Sequence, residues 1–553
     1  MSESNTLGAN RSSLVNWQQA FATYTHPSVI TLLFLGFSAG LPILLIFGTL
    51  SFWLSRAGVD ISVITYFSWA ALGYSFKFVW APLIDRLPFP YLHSVLGRRR
   101  SWLLVTQLLV LFAIAQMGLT EPVPASLERM AYFAVLLGFA GASQDIVIDA
   151  YRIEIAKPEY QAAMSAMYVA GYRIGMLIAG AGAFYLVDGF SLGAQAMQLL
   201  LAYAGNDVYS LMTYSSTQNI YIYEAWRLTY LILAGFMLMG VMTTLIMAEP
   251  ETRKRFSLGD NSAGDYIRFL LFFALTTVSF IFAFIYTGPT YTFAFLEYLG
   301  FDLNVGAGEA PLILKFIAQV FRIIVSVAIA IGIAKLLSLL ELVKRSMLEE
   351  TYINPVTDFI HRYKKTFIII LLLIGFYRIS DIVLGVTAIL FYEKLGFSGV
   401  EIANISKTFG LFMIIAGGFL GGVLTVRFGV LKILLLGGVL AAATNILFMW
   451  FAYVGNDTTI FIIVIAADNL SAGLAGTAFI AYLSSLTNIS FTAVQYAIFT
   501  SVMTLIPKLI GGYSGSIVEN IGYEYFFLFT TILGVPVVLL ILYLIKQDRL
   551  ERY

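Results

Sequence analysis

Fourteen runs of about twenty mainly apolar residues follow one another along this chain, and a run of that length is what an α-helix needs to cross the hydrocarbon core of a bilayer. Six lie at about 28–54, 62–83, 101–119, 130–150, 162–187 and 226–247. Two more lie at about 265–287 and 311–337, and six at about 366–391, 400–425, 431–453, 459–484, 491–517 and 524–545. With 59% hydrophobic and only 12% charged residues, no soluble fold of 553 residues could hide the apolar surface. The expected fold class is therefore all-α and membrane-spanning, with fourteen transmembrane helices. The segment before the first run is polar and has no signal-peptide pattern, so the first span itself is expected to direct insertion.

Composition also narrows the function. The chain has no cysteine, which rules out disulfides, thiol catalysis and thiolate metal sites. His26, His93 and His361 are far apart and suggest neither a metal site nor a catalytic triad. The net charge of +1 gives no reason to expect nucleic acid as a partner. No nucleophilic constellation is visible, so an enzyme is not expected and neither is a cofactor.

Lysine and arginine set topology, because they concentrate on the cytoplasmic side. Arg86 and Arg98–Arg100 follow span 2; Arg253, Lys254 and Arg255 follow span 6; Lys344, Arg345, Arg362, Lys364 and Lys365 precede span 9; Lys546, Arg549 and Arg552 follow span 14. The stretches Asp188–Ala225 and Thr287–Leu312 carry none. Both termini are expected in the cytoplasm. Asp188–Ala225 reads as an amphipathic turn or a disordered segment on the other side. Leu337–Tyr363 reads as an interfacial helix.

The two six-span groups resemble one another. Gly58-Val59-Asp60-Ile61, with Ile64, follows span 1, and Gly399-Val400-Glu401-Ile402, with Ile405, recurs 341 positions later. At the same offset Arg86 falls on Arg427. Parallel repeats of this kind are the layout of the major facilitator superfamily. Pro82-Leu83-Ile84-Asp85-Arg86, followed by Gly97-Arg98-Arg99-Arg100, resembles that superfamily's loop signature between its second and third helices. Gly422–Gly429 resembles the degenerate second copy, with Val426 in the place of the acid. Asp85, Arg86, Arg98, Arg99 and Arg100 are then expected to form a cytoplasmic gate, although the same residues could be a solvated basic loop. The domain boundaries expected are a terminal segment at 1–27, a six-helix bundle at 28–248, a linker with two additional helices at 249–365, a second six-helix bundle at 366–546 and a tail at 547–553.

A closer resemblance is to the AmpG muropeptide permease family. It rests on Gly36–Pro42, Phe76–Pro82, Gly97–Leu104, Ala142–Ala150, Gly171–Leu177, Ser406–Leu411 and Gly476–Phe479, segments scattered over nearly the whole chain. Acetyl-coenzyme A transporters also look related. The resemblance implies two additional helices between the halves, a bacterial inner-membrane location, and import of anhydro-muropeptides for cell-wall recycling. It also implies that spans 3, 6, 11 and 14 face lipid, while 1, 4, 9 and 12 line a cavity beside 2, 5, 10 and 13.

Ionisable residues inside the membrane are costly and mark function by default. They are Lys77, Asp145, Asp149, Arg173, Arg378, Asp381, Lys407, Asp468 and Lys508, with Lys315 and Arg322 in the additional pair. Setting that pair aside, they fall in spans 2, 4, 5, 9, 10, 12 and 13, and none falls in the middle of 3, 6, 11 or 14. Arg173, Lys77, Gln144, Arg378, Lys407 and Lys508 are the substrate-binding candidates, because a cationic path attracts anions and the guanidinium fork suits a carboxylate. Lys77 could instead snorkel to the interface. Asp145, Asp381 and Asp468 are the proton-coupling candidates; a static ion pair is the alternative for Asp145, and a self-neutralised pair for Arg378 and Asp381. Asp149 shares a helix face with Asp145 and joins the gate, pairing with Arg98–Arg100 or with Arg152. Tyr172, Trp69, Tyr377 and Phe409 could stack on sugar rings.

The leading expectation is a monomeric, proton-driven importer of an anionic glycopeptide, working by alternating access. The alternatives are a transporter of another anion, such as an acetyl-coenzyme A-like nucleotide, and a membrane sensor that moves nothing.

Overall fold

A computed structural model describes residues 17–550 apart from 61–62, 65–66, 68–69, 71, 88, 90, 205–221, 251–261, 289–296, 299–311 and 512. Among the described residues, thirteen helices are long and apolar enough to cross a membrane. They are α1 (Pro27–Arg56), α3 (Arg98–Gly118), α4 (Leu127–Ile155), α5 (Pro158–Gly193), α6 (Tyr223–Ile246), α7 (Gly264–Tyr286), α8 (Val320–Leu339), α9 (within Arg345–Lys394), α10 (Ala403–Phe428), α11 (Val430–Val454), α12 (Thr458–Leu486), α13 (Ile489–Pro507) and α14 (Ile517–Gln547). The expected span at 62–83 is described only in part, as three short pieces: Leu72–Phe76, Lys77–Val79 and Ala81–Arg86, together called α2.

Two bundles carry the structure, each with its own apolar core. In the first, Trp53 stacks on Trp226, and Val110, Met117, Leu137 and Leu233 close around them. In the second, Phe391, Phe448, Phe451, Phe461 and Phe527 form an aromatic centre. Glycines allow helix axes to approach, as they do in lipid where no water drives association. A Cβ on Gly36 or Gly40 would overlap the carbonyls of Tyr168 or Tyr172, and one on Gly171 or Gly175 those of Leu33 or Phe37, so α1 and α5 touch backbone to backbone. Gly417, Gly421 and Gly473 bring α10 and α12 together in the same manner.

Exposed Leu108 and Phe112 of α3, Leu238 and Met242 of α6, Val439 and Ile446 of α11, and Ile532 and Leu539 of α14 make these helices the apolar outer faces. The additional pair, α7 and α8, packs on α2 through Phe280 against Phe76 and through Phe269 and Phe272 near Leu83. Arg322 of α8 is spent within the pair, donating to the Phe284 carbonyl 2.8 Å away and lying over the Phe284 ring, so it caps the end of α7. The side chain of Lys315 lies outside the described residues.

Three sequence expectations change in detail. The segment after span 5 begins as helix, because Ala183–Ala204 continues α5; 205–221 lie outside the described residues. The interfacial segment forms in three pieces: Arg345–Leu348, Glu349–Ile353 and Asn354–Tyr363. The two repeat motifs also turn differently. Gly58 has φ +77, whereas in the second half the left-handed turn falls on Gly396, followed by Ser398 and Glu401 exchanging capping hydrogen bonds.

Candidate functional site

Several of the spans that carry intramembrane charge depart from regular α-helix at the charge itself. Lys77 opens the 3-10 turn Lys77–Val79 of α2. Arg378 interrupts α9 between Phe367–Phe376 and Ile379–Lys394, with φ −102 and ψ 10. Lys407 lies in the π-helical stretch Ala403–Phe409 of α10. A further π stretch, Ile178–Gly182, follows Arg173 in α5, and Thr49 donates to its Ala179 carbonyl at 2.6 Å. Irregular backbone at membrane depth is tolerated where protein or a water-filled cavity supplies hydrogen bonds, and π-bulges concentrate at functional sites.

Three of these cations influence one another across the two bundles. Arg173 of the first half lies within electrostatic reach of Arg378 and of Lys407 in the second. Arg173 is half-buried and Lys407 exposed, although both sit in transmembrane helices. Arg378 lies 4.0 Å from Asp381, at the limit of an ion pair, and Asp381 is in turn within reach of Asp468. Asp468 accepts from Thr444 at 3.4 Å. In the first half Asp145 is buried, faces Lys77, Asp149, Tyr74 and Tyr172, and its Oδ1 has no hydrogen-bond partner among the described residues.

Gln144 sits away from the cations, and Asp149 takes one of its two expected pairings. Gln144 is fully buried and donates to Ser38 at 3.0 Å, inside the first bundle. One residue along a helix turns the side chain by about 100°, which sends Gln144 into the packing while Asp145 meets Lys77. Of the two pairings expected for Asp149, the one with Arg152 forms, at 3.5 Å, and Lys77 lies at the same distance; no pair with Arg98–Arg100 is seen among the described residues. The side chains of Lys508, Arg86 and Trp69 lie outside the described residues. Tyr377 stacks on Phe479 and donates to the Leu434 carbonyl at 3.0 Å, so it packs inside the second bundle.

The arginine-rich end is closed by a buried charge network. Arg99 reaches Asp85 at 2.7 Å and Glu154 at 2.5 Å; Arg98 reaches Glu154 at 3.2 Å. The backbone amides of Arg99 and Arg100, at the start of α3, donate to Glu249 at 2.8 and 3.0 Å, where a helix N-terminus favours a carboxylate. Arg100 itself donates to the Thr244 carbonyl at 2.9 Å. The network crosses to the second bundle: Thr492 donates to Glu154 and accepts from Arg99 at 3.0 Å. Arg152 donates to Ser484 at 2.8 Å and lies over the Tyr496 ring, and Tyr24 donates to the Phe419 carbonyl at 3.2 Å. The sequence reading missed Glu154, Glu249, Thr492 and Ser484, and named Arg152 only as a partner of Asp149. Glu154 had one signal, an acid a little over one turn beyond Asp149 at the level of the arginine cluster.

Known proteins resemble this chain in sequence and fold. The family described as Acetyl-coenzyme A transporter 1 matches residues 28–189, and the Major Facilitator Superfamily matches residues 368–552. The chain is 30% identical over 511 residues to "Putative transporter AmpG 4" of Rickettsia conorii, covering 92% of this chain and 94% of that one. It is 28% identical over 525 residues to "Anhydromuropeptide permease" of Escherichia coli, covering 95% and 81%. Among solved structures, a major facilitator superfamily proton:xylose symporter superposes with a TM-score of 0.53 at 11% identity, over 95% of each chain, which shows a shared fold. The curated relatives are transporters and a permease, so the chain stands with membrane transporters and not with enzymes. It is a member of the AmpG transporter family and has the major facilitator superfamily fold.

Proposed function

We propose that this protein imports anhydro-muropeptides from the periplasm to the cytoplasm across a bacterial inner membrane, driven by protons, as a monomer with both termini and the arginine-rich end on the cytoplasmic side. What supports the reading is that Arg173 of the first bundle lies within electrostatic reach of Arg378 and Lys407 of the second. An anion bound there touches both halves at once, and a ligand held by both halves is what alternating access by rocking bundles requires. A muropeptide offers several carboxylates, which suit two guanidinium forks and an ammonium. Asp145, Asp381 and Asp468 are the proton carriers, because each is a carboxylate inside the transmembrane region near a cation or a second acid. Inward movement of one charge is worth about 2.3 kcal/mol per 100 mV, enough for tenfold or greater accumulation.

The match of residues 28–189 to the acetyl-coenzyme A transporter family favours a second reading, a nucleotide-like anion at the same cations. Uptake of labelled anhydro-muropeptide into proteoliposomes, with and without an imposed proton gradient, separates the two. The proposal expects gradient-dependent uptake that unlabelled muropeptide suppresses and acetyl-coenzyme A does not. Asp145→Asn is expected to abolish the gradient dependence. Uptake indifferent to the gradient ends the proton reading, and suppression by acetyl-coenzyme A alone ends the muropeptide reading.

A further inference from the structure

Beside the Arg99 network, the closed end holds a second polar link between the bundles, and its geometry joins it to the interior of the first bundle. Asp149 of α4 divides its two oxygens between two cations: Oδ2 lies 3.5 Å from Lys77 of α2, and Oδ1 lies 3.5 Å from Arg152, one turn further along α4. Arg152 is fully buried. One of its nitrogens donates to Ser165 at 2.9 Å and to Ser484 of α12 at 2.8 Å, and its guanidinium lies 5.1 Å over the ring of Tyr496 of α13. Both 3.5 Å contacts are long for charge-assisted hydrogen bonds, which close to about 2.7–2.9 Å when undivided. The carboxylate is therefore shared, and either cation can gain what the other gives up.

We infer that Arg152 is a positioning residue that latches the two bundles together through Ser484, and that Lys77 controls the latch by competing with Arg152 for Asp149. When Lys77 holds Asp149, Arg152 is left on Ser484 and Tyr496 and the arginine-rich end stays shut. When Lys77 turns to the transported anion, Asp149 has Arg152 alone, draws it toward α4, and takes it off Ser484. Binding of the anion is thereby converted into release at the arginine-rich end. This last step rests on the proposed function, since it needs Lys77 to meet the transported anion. The division of Asp149 between its two cations does not.

The experiment uses the absence of native cysteine, which lets a pair of spin labels be placed in the full-length chain without background. Val95→Cys and Lys432→Cys put one exposed label on each bundle at the arginine-rich end. Distances are measured in reconstituted protein. Ser484→Ala removes the acceptor with a minimal change of shape and is expected to raise the share of the longer distance. Lys77→Gln gives Asp149 wholly to Arg152 and is expected to shift the distribution the same way. Asp149→Asn removes what draws Arg152 away and is expected to shift it oppositely, toward the shorter distance. General destabilisation cannot produce shifts of opposite sign. The inference is overturned if Ser484→Ala leaves the distribution unchanged, or if Lys77→Gln and Asp149→Asn move it in one direction. In a final arm, anhydro-muropeptide is added to the labelled parent and to Lys77→Gln. A shift in the parent alone supports the coupling to the anion. No shift in the parent, with the variants behaving as expected, leaves the latch standing and removes the muropeptide as its trigger.

Discussion

Thr492, the first residue of the helix Thr492–Gly511, donates to Glu154 on α4 while its own oxygen accepts from Arg99 at 3.0 Å, so one hydroxyl of the second bundle completes the charge network of the first. Glu154 serves Arg98, Arg99 and Thr492 together and is almost wholly buried. Its removal leaves two arginines to share the single carboxylate of Asp85. Breaking a buried pair by deleting one partner costs about 3–5 kcal/mol, whereas a lost hydrogen bond to a charged group costs about 1.5–3 kcal/mol. Glu154→Gln is therefore expected to lower the thermal midpoint in detergent clearly. Thr492→Val, of nearly the same shape, is expected to lower it less while loosening the contact between bundles. Equal midpoints for the two variants would show that Glu154 is not the centre of the network.

The α1–α5 contact makes a sharper packing prediction. At Gly171 an added Cβ meets the Leu33 carbonyl and the Phe37 amide, both backbone and unable to move aside. Gly171→Ala is expected to force the helices apart at a cost of about 1–3 kcal/mol or more. At Gly385 and Gly476 an added Cβ meets nothing within 4 Å, so Gly385→Ala and Gly476→Ala are the controls and are expected to leave stability unchanged or slightly improved. The comparison is read from thermal unfolding of purified protein in one detergent.

The spans were legible in the sequence because hydropathy and helix length act on about twenty residues at once, and the intramembrane charges stood out because so few charges occur in those runs. The interruptions at Lys77, Arg378 and Lys407 were not. No proline or glycine sits at those residues, and the apolar runs continue through them. Partner choice was legible only in part. Asp149 looked able to reach Arg98–Arg100 or Arg152; it takes Arg152, and the arginine cluster takes a carboxylate nearer the end of α4, Glu154. Thr492 and Ser484 carry no charge and look like any other hydroxyl until two bundles are docked.

If Arg173 and Arg378 hold one anion between them, losing either should weaken binding without stopping the rocking motion itself. A charge-assisted hydrogen bond is worth about 1.5–3 kcal/mol, which corresponds to about ten- to a hundredfold in affinity. Arg173→Gln and Arg378→Gln are each expected to raise the KM for uptake by that factor. Arg173→Lys is expected to recover only part, because an ammonium keeps the charge but loses the fork. A variant that lowers the maximal rate and leaves KM alone would place that arginine outside the binding site.

The interfacial helix Asn354–Tyr363 should be held to the second bundle mainly by one buried side chain. Gln495 of α13 donates to the Pro355 carbonyl at 2.8 Å and to Asp358 at 2.9 Å, and accepts from Arg362 at 3.0 Å and from the Asn488 amide at 2.8 Å. Asp358 also pairs with Arg362 at 2.9 Å and accepts from Asn488. Gln495→Leu keeps the size but leaves several of these groups without partners, at about 1–3 kcal/mol for each one that stays buried. The segment is then expected to undock in preference to paying that cost, because Lys364 and Lys365 beside it are already exposed. Limited trypsin digestion is expected to cut at Lys364 and Lys365 several times faster in Gln495→Leu than in the parent, with the thermal midpoint of the bundles little changed. Unaltered cleavage would mean that the apolar contacts of Phe359 with Tyr363 and Phe499 suffice to hold the helix in place.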